Sequence, residues 1–134
     1  MEKAVLAIDA ALNHSGYCVA RGNTIIETGV FTVNPRWQTE DKLLAIMEWA
    51  GGLVERHGTG TVVLEGQYTA RNARTAYMLS LVHGVIMAAA RARGARVEVI
   101  PPARVKKAAT GRGHATKEEV ARPVATHYDL AVAG

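Results

Sequence analysis

Two carboxylates stand where chemistry is possible. Asp9 follows the apolar run Ala4-Val5-Leu6-Ala7-Ile8, and Glu65 follows Thr61-Val62-Val63-Leu64. Neither run alternates with polar residues, the pattern of a strand covered on both faces, so each acid stands at the rim of a buried layer. Either acid alone has a plain reading, as a turn-former or a solvated strand end. The pair reads differently if the two strands are parallel neighbours, about 4.8 Å apart, because both carboxylates then reach shared cations. With no histidine or cysteine cluster beside them they are hard oxygen donors, suited to Mg2+ or Mn2+. Such ions keep waters and bind substrate phosphate, so the natural reaction is metal-assisted phosphodiester hydrolysis. In a two-ion site one ion activates water and the other stabilises the leaving oxygen. Without a cation two close carboxylates repel and one takes up a proton. A basic neighbour, Lys106 or Lys107, also answers that repulsion.

The charge distribution fits a polyanionic substrate. Residues 1–65 hold five basic and eight acidic side chains. Residues 66–97 hold Arg71, Arg74, Arg91, Arg93 and Arg96 with no acid, and residues 98–134 hold six basic and four acidic side chains. A basic second half beside an acidic first half suits nucleic acid, although solubility alone also produces basic surfaces. Tyr68, just past the Glu65 strand, is placed to stack on an unpaired base or simply to pack on the surface. Arg71 and Arg74 are candidate phosphate contacts. Gly111-Arg112-Gly113 before a capped helix could offer backbone N–H groups to a phosphate, with Lys117 at the helix start; it is equally a plain loop. No P-loop or dinucleotide fingerprint occurs. His14, His57, His83, His114 and His127 have no shared metal-binding spacing and read as structural or solvated. Ser15 lacks a partner base, which argues against a serine nucleophile.

Length and composition set the frame. A chain of 134 residues, 49% hydrophobic and 21% charged, is one globular domain with an ordinary core. No run approaches the ~18 apolar residues of a membrane span, and no basic-then-apolar leader opens the chain. Cys18 is the single cysteine, which excludes an internal disulfide framework or thiolate zinc site and reads as core packing in a reduced, cytoplasmic setting.

The elements that must position the acids follow from periodicity. After Asp9 and a turn, Gly16 to Ala20 and Thr24 to Val33 read as strands joined by Arg21-Gly22-Asn23, an antiparallel meander that Asn34-Pro35 ends. From about Thr39, Leu43, Ile46, Met47, Ala50, Leu53 and Val54 recur at helical spacing until Gly58 and Gly60. A helix over roughly Thr75 to Arg93 is apolar on nearly every side, as expected of one buried on the sheet or in a subunit interface. Arg96 to Ile100 alternates and reads as a strand near an edge. Beyond Pro101-Pro102 come a short basic helix over 104–109, a loop over 111–114, and a helix from Lys117 to about Tyr128. Thr116 and Glu119 form a capping box for that last helix, and Pro123 interrupts it. The crossover helix lets the Glu65 strand lie parallel to the Asp9 strand, with both acids at one edge.

With these residues in place the sequence resembles the RuvC-type Holliday junction resolvases of the ribonuclease H-like superfamily. The resemblance rests on Leu6-Ala7-Ile8-Asp9 with Ser15-Gly16-Tyr17, on Val63-Leu64-Glu65 with Gln67-Tyr68 and Ala70-Arg71-Asn72-Ala73, and on Val105-Lys106-Lys107 with Gly111-Arg112-Gly113 and Lys117. It implies an α/β, ribonuclease H-like fold in a single domain over 1–134. The sheet would be five-stranded and mixed, three antiparallel strands then parallel crossovers, flanked by helices. It also implies a homodimer that binds a four-way DNA junction and makes paired nicks with Mg2+ or Mn2+, two ions per site. Asp9 and Glu65 would then be metal ligands, and Lys106 a catalytic residue. Tyr68, Arg71, Asn72, Arg74, Lys107, Arg112 and Lys117 would contact DNA, while the apolar helix would supply much of the dimer contact.

One departure stands out. The family completes its site with two further acids, or His and Asp, at the start of a final helix. No such pair follows here, and Asp129 comes too soon after Gly113 to match. The expectation is therefore a C-terminal acidic helix lying beyond Gly134. The competing readings are a junction-binding protein without nuclease activity and another ribonuclease H-like nuclease. An actin-like phosphotransferase ranks below both, because 134 residues leave no room for its second lobe.

Overall fold

The computed structural model describes residues 2–66 and 72–100. Within them the strands are β1 (Ala4–Asp9), β2 (His14–Arg21), β3 (Thr24–Thr32), β4 (Thr59–Glu65) and β5 (Arg96–Ile100). The helices are α1 (Thr39–His57), between β3 and β4, and α2 (Ala73–Ala92), between β4 and β5. The five strands form one sheet in the order β3-β2-β1-β4-β5. The meander is antiparallel as expected, and β4 and β5 run parallel to β1.

The uninterrupted apolar run of β1 puts it at the centre, where every residue from Ala4 to Asp9 is buried. On one face Leu6, Ile8, Val19, Val62 and Leu64 meet Ile46, Ala50 and Leu53 of α1 and Val82, Ile86 and Ala90 of α2. The other face buries Val5, Ala7, Cys18, Ala20 and Val63. Cys18 is core, as its place in a strand suggested. The β2–β3 hairpin closes on Gly22-Asn23, and Gly22 takes the positive φ of 61° that a tight hairpin needs.

Helix α1 carries Glu40 and Asp41 at its start and Arg56 and His57 at its end, matching its dipole. Gly58 ends it in the left-handed conformation, and its N–H donates back to the carbonyls of Val54 and Glu55. Trp49 stacks on Phe31, with centroids 4.6 Å apart, and meets Tyr17 edge-on. Met47 shares the apolar spacing yet lies exposed.

Helix α2 is buried along one stripe and exposed along another. Only Val82, Ile86, Ala89 and Ala90 are buried, while Tyr77 and Met87 face outward. It is also long and apolar enough, by length and composition, to cross a membrane, because its charged residues, Arg74 and Arg91, stand at its ends. In the structure it packs along α1 and β5. The basic helix, glycine loop and capped helix expected over 104–128 lie outside the described residues.

Candidate active site

The parallel register pairs Ile8 of β1 with Leu64 of β4, so the next residues along, Asp9 and Glu65, end neighbouring central strands side by side. Alternation sets both on the same face of the sheet as Ala7 and Val63. Asp9 is 6% exposed and Glu65 4%, although acids are almost never buried this deeply unless paired. The chain fixes them from several sides. Gly16 pairs with Asp9 on β2, Ile100 pairs with Glu65 on β5, and the N–H of Gly66 donates to the carbonyl of Ile100.

The turn from β1 into β2 is stapled by its own polar groups. The Ala11 N–H donates to Ser15 Oγ and the Ser15 hydroxyl donates to the Ala11 carbonyl, each at 3.1 Å. Ser15 is thus occupied as a turn staple, in line with the argument against a nucleophile. The Val33 N–H donates to the Asn13 carbonyl at 3.0 Å, tying the turn to the end of β3. From α1, Lys42 Nζ donates to Asn13 Oδ1 at 2.8 Å. Lys42 is only 7% exposed, and no ion pair among the described residues involves it.

Two residues at this edge escaped the motif reading. Lys42 lies on the buried stripe of α1 with Ile46, Ala50 and Leu53. A lysine at an apolar position of the helical repeat is the signal that would have found it. His83, assigned a structural or solvated role, is within electrostatic reach of Asp9. Burial pushes its pKa below the usual histidine value, and the Asp9 carboxylate pulls the other way. Its Nε2 is buried with no hydrogen-bond partner among the described residues.

Asp9 and Glu65 fit a hard divalent cation as an oxygen donor set, since such an ion needs few protein ligands beside water and substrate phosphate. No group of three His, Cys, Asp or Glu side chains able to hold a metal exists among the described residues. Asn72, expected at the DNA, caps α2: its side-chain oxygen accepts from the Thr75 N–H at 2.8 Å. Arg74 is exposed in the first turn of the same helix, which carries no acid there. Tyr68, Arg71, Lys106, Lys107, Arg112 and Lys117 lie outside the described residues.

Comparison with known proteins bears on the family and the fold. Residues 5–132 match the family model of the crossover junction endodeoxyribonuclease RuvC. A RuvC from Protochlamydia amoebophila is 28% identical over 96% of this chain and 79% of its own length. One from Clavibacter michiganensis is 32% identical over 90% of this chain, which spans only 62% of that relative. The structure of T. thermophilus RuvC in complex with Holliday junction substrate superposes with a TM-score of 0.84 over 98% of this chain and 96% of that one. At 20% identity, that likeness speaks for the fold. Sheet order, flanking helices and family match together assign the chain to the crossover junction endodeoxyribonuclease RuvC family, a family of Holliday junction endonucleases.

Proposed function

We propose that this protein resolves Holliday junctions by metal-dependent paired nicking of symmetrically related DNA strands, in the cytoplasm and as a homodimer. The single observation that carries the reading is the register that sets Asp9 beside Glu65, both buried, at the end of adjacent parallel strands. The family is one of metal-dependent nucleases; Mg2+ or Mn2+, as two ions per site, is our reading for this chain. Asp9 and Glu65 would hold the metal, which when bound supplies an activated water and charge stabilisation at the scissile phosphate.

The other residues divide the remaining work. Lys106 assists cleavage from the third motif. Tyr68 stacks on an unpaired base, which favours a branched substrate over a fully stacked duplex. Arg71, Asn72, Arg74, Lys107, Arg112 and Lys117 hold the backbone. Arg74 supports that role, since a cation in the opening turn opposes the helix dipole and gains from an anionic partner nearby. The outward Tyr77 and Met87 of α2 support a two-fold dimer, which suits a two-fold substrate.

The test is cleavage of a four-way junction labelled on each strand in turn, against linear duplex at moderate salt. Symmetric nicks in Mg2+ or Mn2+ that a chelator abolishes are expected. Tight junction binding without nicks in either metal would favour a junction-binding protein instead, a reading that the lack of a third converging ligand among the described residues keeps in view. Equal action on linear duplex at moderate salt would point to another nuclease of the same fold, because nonspecific binding weakens steeply with salt.

A further inference from the structure

We propose that Lys42 is a positioning residue that acts on Asp9 from inside α1, through Asn13. The inference rests on the reading of Asp9 as a site residue, and begins from a lysine in an unfavourable place. The residue is 7% exposed, and its ammonium group donates to a neutral amide oxygen, Asn13 Oδ1, at 2.8 Å. It also stands in the opening turn of a helix, where the dipole disfavours a cation. Burial of a charge without an opposite charge costs stability, and an apolar residue of similar volume is often better tolerated. Leu or Met would suit the stripe of Ile46, Ala50 and Leu53 on packing grounds.

What Lys42 gains is a tether. Asn13 lies four residues past Asp9, in the turn that the Ser15 hydroxyl and the Val33 N–H also hold. Three attachments, to β2, β3 and α1, thus converge on the segment that follows the carboxylate. The two from β2 and β3 are local or backbone bonds. The bond from Lys42 crosses 29 residues of sequence and connects the turn to the helix layer. A carboxylate at a strand end points where its following turn lets it, and displacement of a reacting group by about 1 Å can cost about 100-fold in rate.

The experiment compares the parent with Lys42→Met, Asn13→Ala and the double variant. Amide hydrogen exchange at Ala11 and Val33 reads the turn without metal or DNA. Either single change should speed exchange there by roughly tenfold, with no further gain in the double variant. Lys42→Met should keep or raise the melting temperature, while single-turnover junction cleavage falls about tenfold or more at unchanged junction affinity. Unaltered exchange at Ala11 and Val33, additive effects in the double variant, or cleavage equal to the parent would each overturn the proposal. So would a fall in melting temperature with faster exchange throughout β1 and β4, since that is a plain core defect. A parent that cuts no junction would count against the proposed function alone, and the exchange data would still decide the tether.

Discussion

Two acidic centres in this domain sit on the same sheet and are built differently. On β3, Glu27 receives the Tyr17 hydroxyl at 2.8 Å, the Arg56 guanidinium at 2.9 Å and the His57 ring at 3.0 Å. These contacts join β2, β3 and the end of α1. The hydrogen bond from Tyr17, then those from His57 and Arg56, hold its carboxyl below the usual range against the effect of burial. Asp9 and Glu65, by contrast, are more deeply buried and have each other as strand neighbours. Donors around a carboxylate make it a strut, with its charge committed to holding three elements together. Acid beside acid at a sheet edge is an arrangement that a divalent cation and a phosphate can exploit. Acid burial alone does not distinguish the two arrangements; the strand register that sets Asp9 beside Glu65 does.

The sharpest way to break this comparison is to neutralise an acid in each centre. Asp9→Asn or Glu65→Gln should reduce junction cleavage by at least about 100-fold, since several kcal/mol of transition-state stabilisation is lost. The melting temperature of each variant, measured beside cleavage, shows that the loss is read from folded protein. Glu27→Gln should leave cleavage near parental and cost about 1–2 kcal/mol in urea unfolding. Cleavage near parental in Asp9→Asn, or lost in Glu27→Gln at a temperature where it is folded, would end the distinction.

The same strut should show in the pH dependence of stability. Burial, reinforced by the bond to Glu27, pushes the Tyr17 hydroxyl from 10.0 up to about 12. Between those values the unfolded chain has lost this proton and the native state still holds it. Stability from this group is therefore complete below pH 10 and is lost as pH rises toward 12. Glu27 works in the opposite direction: its folded pKa lies below 4.5, so its contribution is present above that value and is lost as the pH falls below it. Tyr17→Phe should flatten the alkaline arm of a stability–pH profile, measured by urea unfolding. A retained alkaline arm would assign that titration to other groups.

Much of this was legible in the sequence because single elements declared it. The non-alternating run of β1 predicted a central strand, and the crossover length predicted that β4 lies parallel to it; the register followed, and with it the juxtaposition of Asp9 and Glu65. The alternating β5 took the edge as its pattern suggested. Tertiary partners were not legible. Glu27, Arg56 and His57 gave no motif because their contacts cross about thirty residues of chain. Lys42 belonged to no motif, although its register with Ile46 marks it as inward. His83 lay in an apolar helix, and its proximity to Asp9 is a product of how α2 packs. The apolarity of α2 on nearly every side suggested burial on the sheet or in a subunit interface, and the sequence did not say which residues face the sheet; they are Val82, Ile86, Ala89 and Ala90.

The smallest expected effect separates structure from recognition at the start of α2. Asn72 was expected to meet DNA, and its side-chain oxygen is committed to the Thr75 N–H. Asn72→Ala should therefore cost about 1 kcal/mol of stability, the usual loss for an N-cap, while Asn72→Ser should retain the cap. Serine removes the amide protons and adds no charge beside exposed Arg74. If Asn72 is only a cap, Asn72→Ser should bind the junction almost as well as the parent. If its amide protons also meet a phosphate, Asn72→Ser should bind several-fold more weakly at unchanged melting temperature. Arg74→Ala calibrates the comparison. Loss of one phosphate contact should weaken junction binding and reduce the slope of log affinity against log salt by about 1, with cleavage at saturating protein preserved. An unchanged slope would take Arg74 out of the DNA interface and leave this end of α2 with its cap alone.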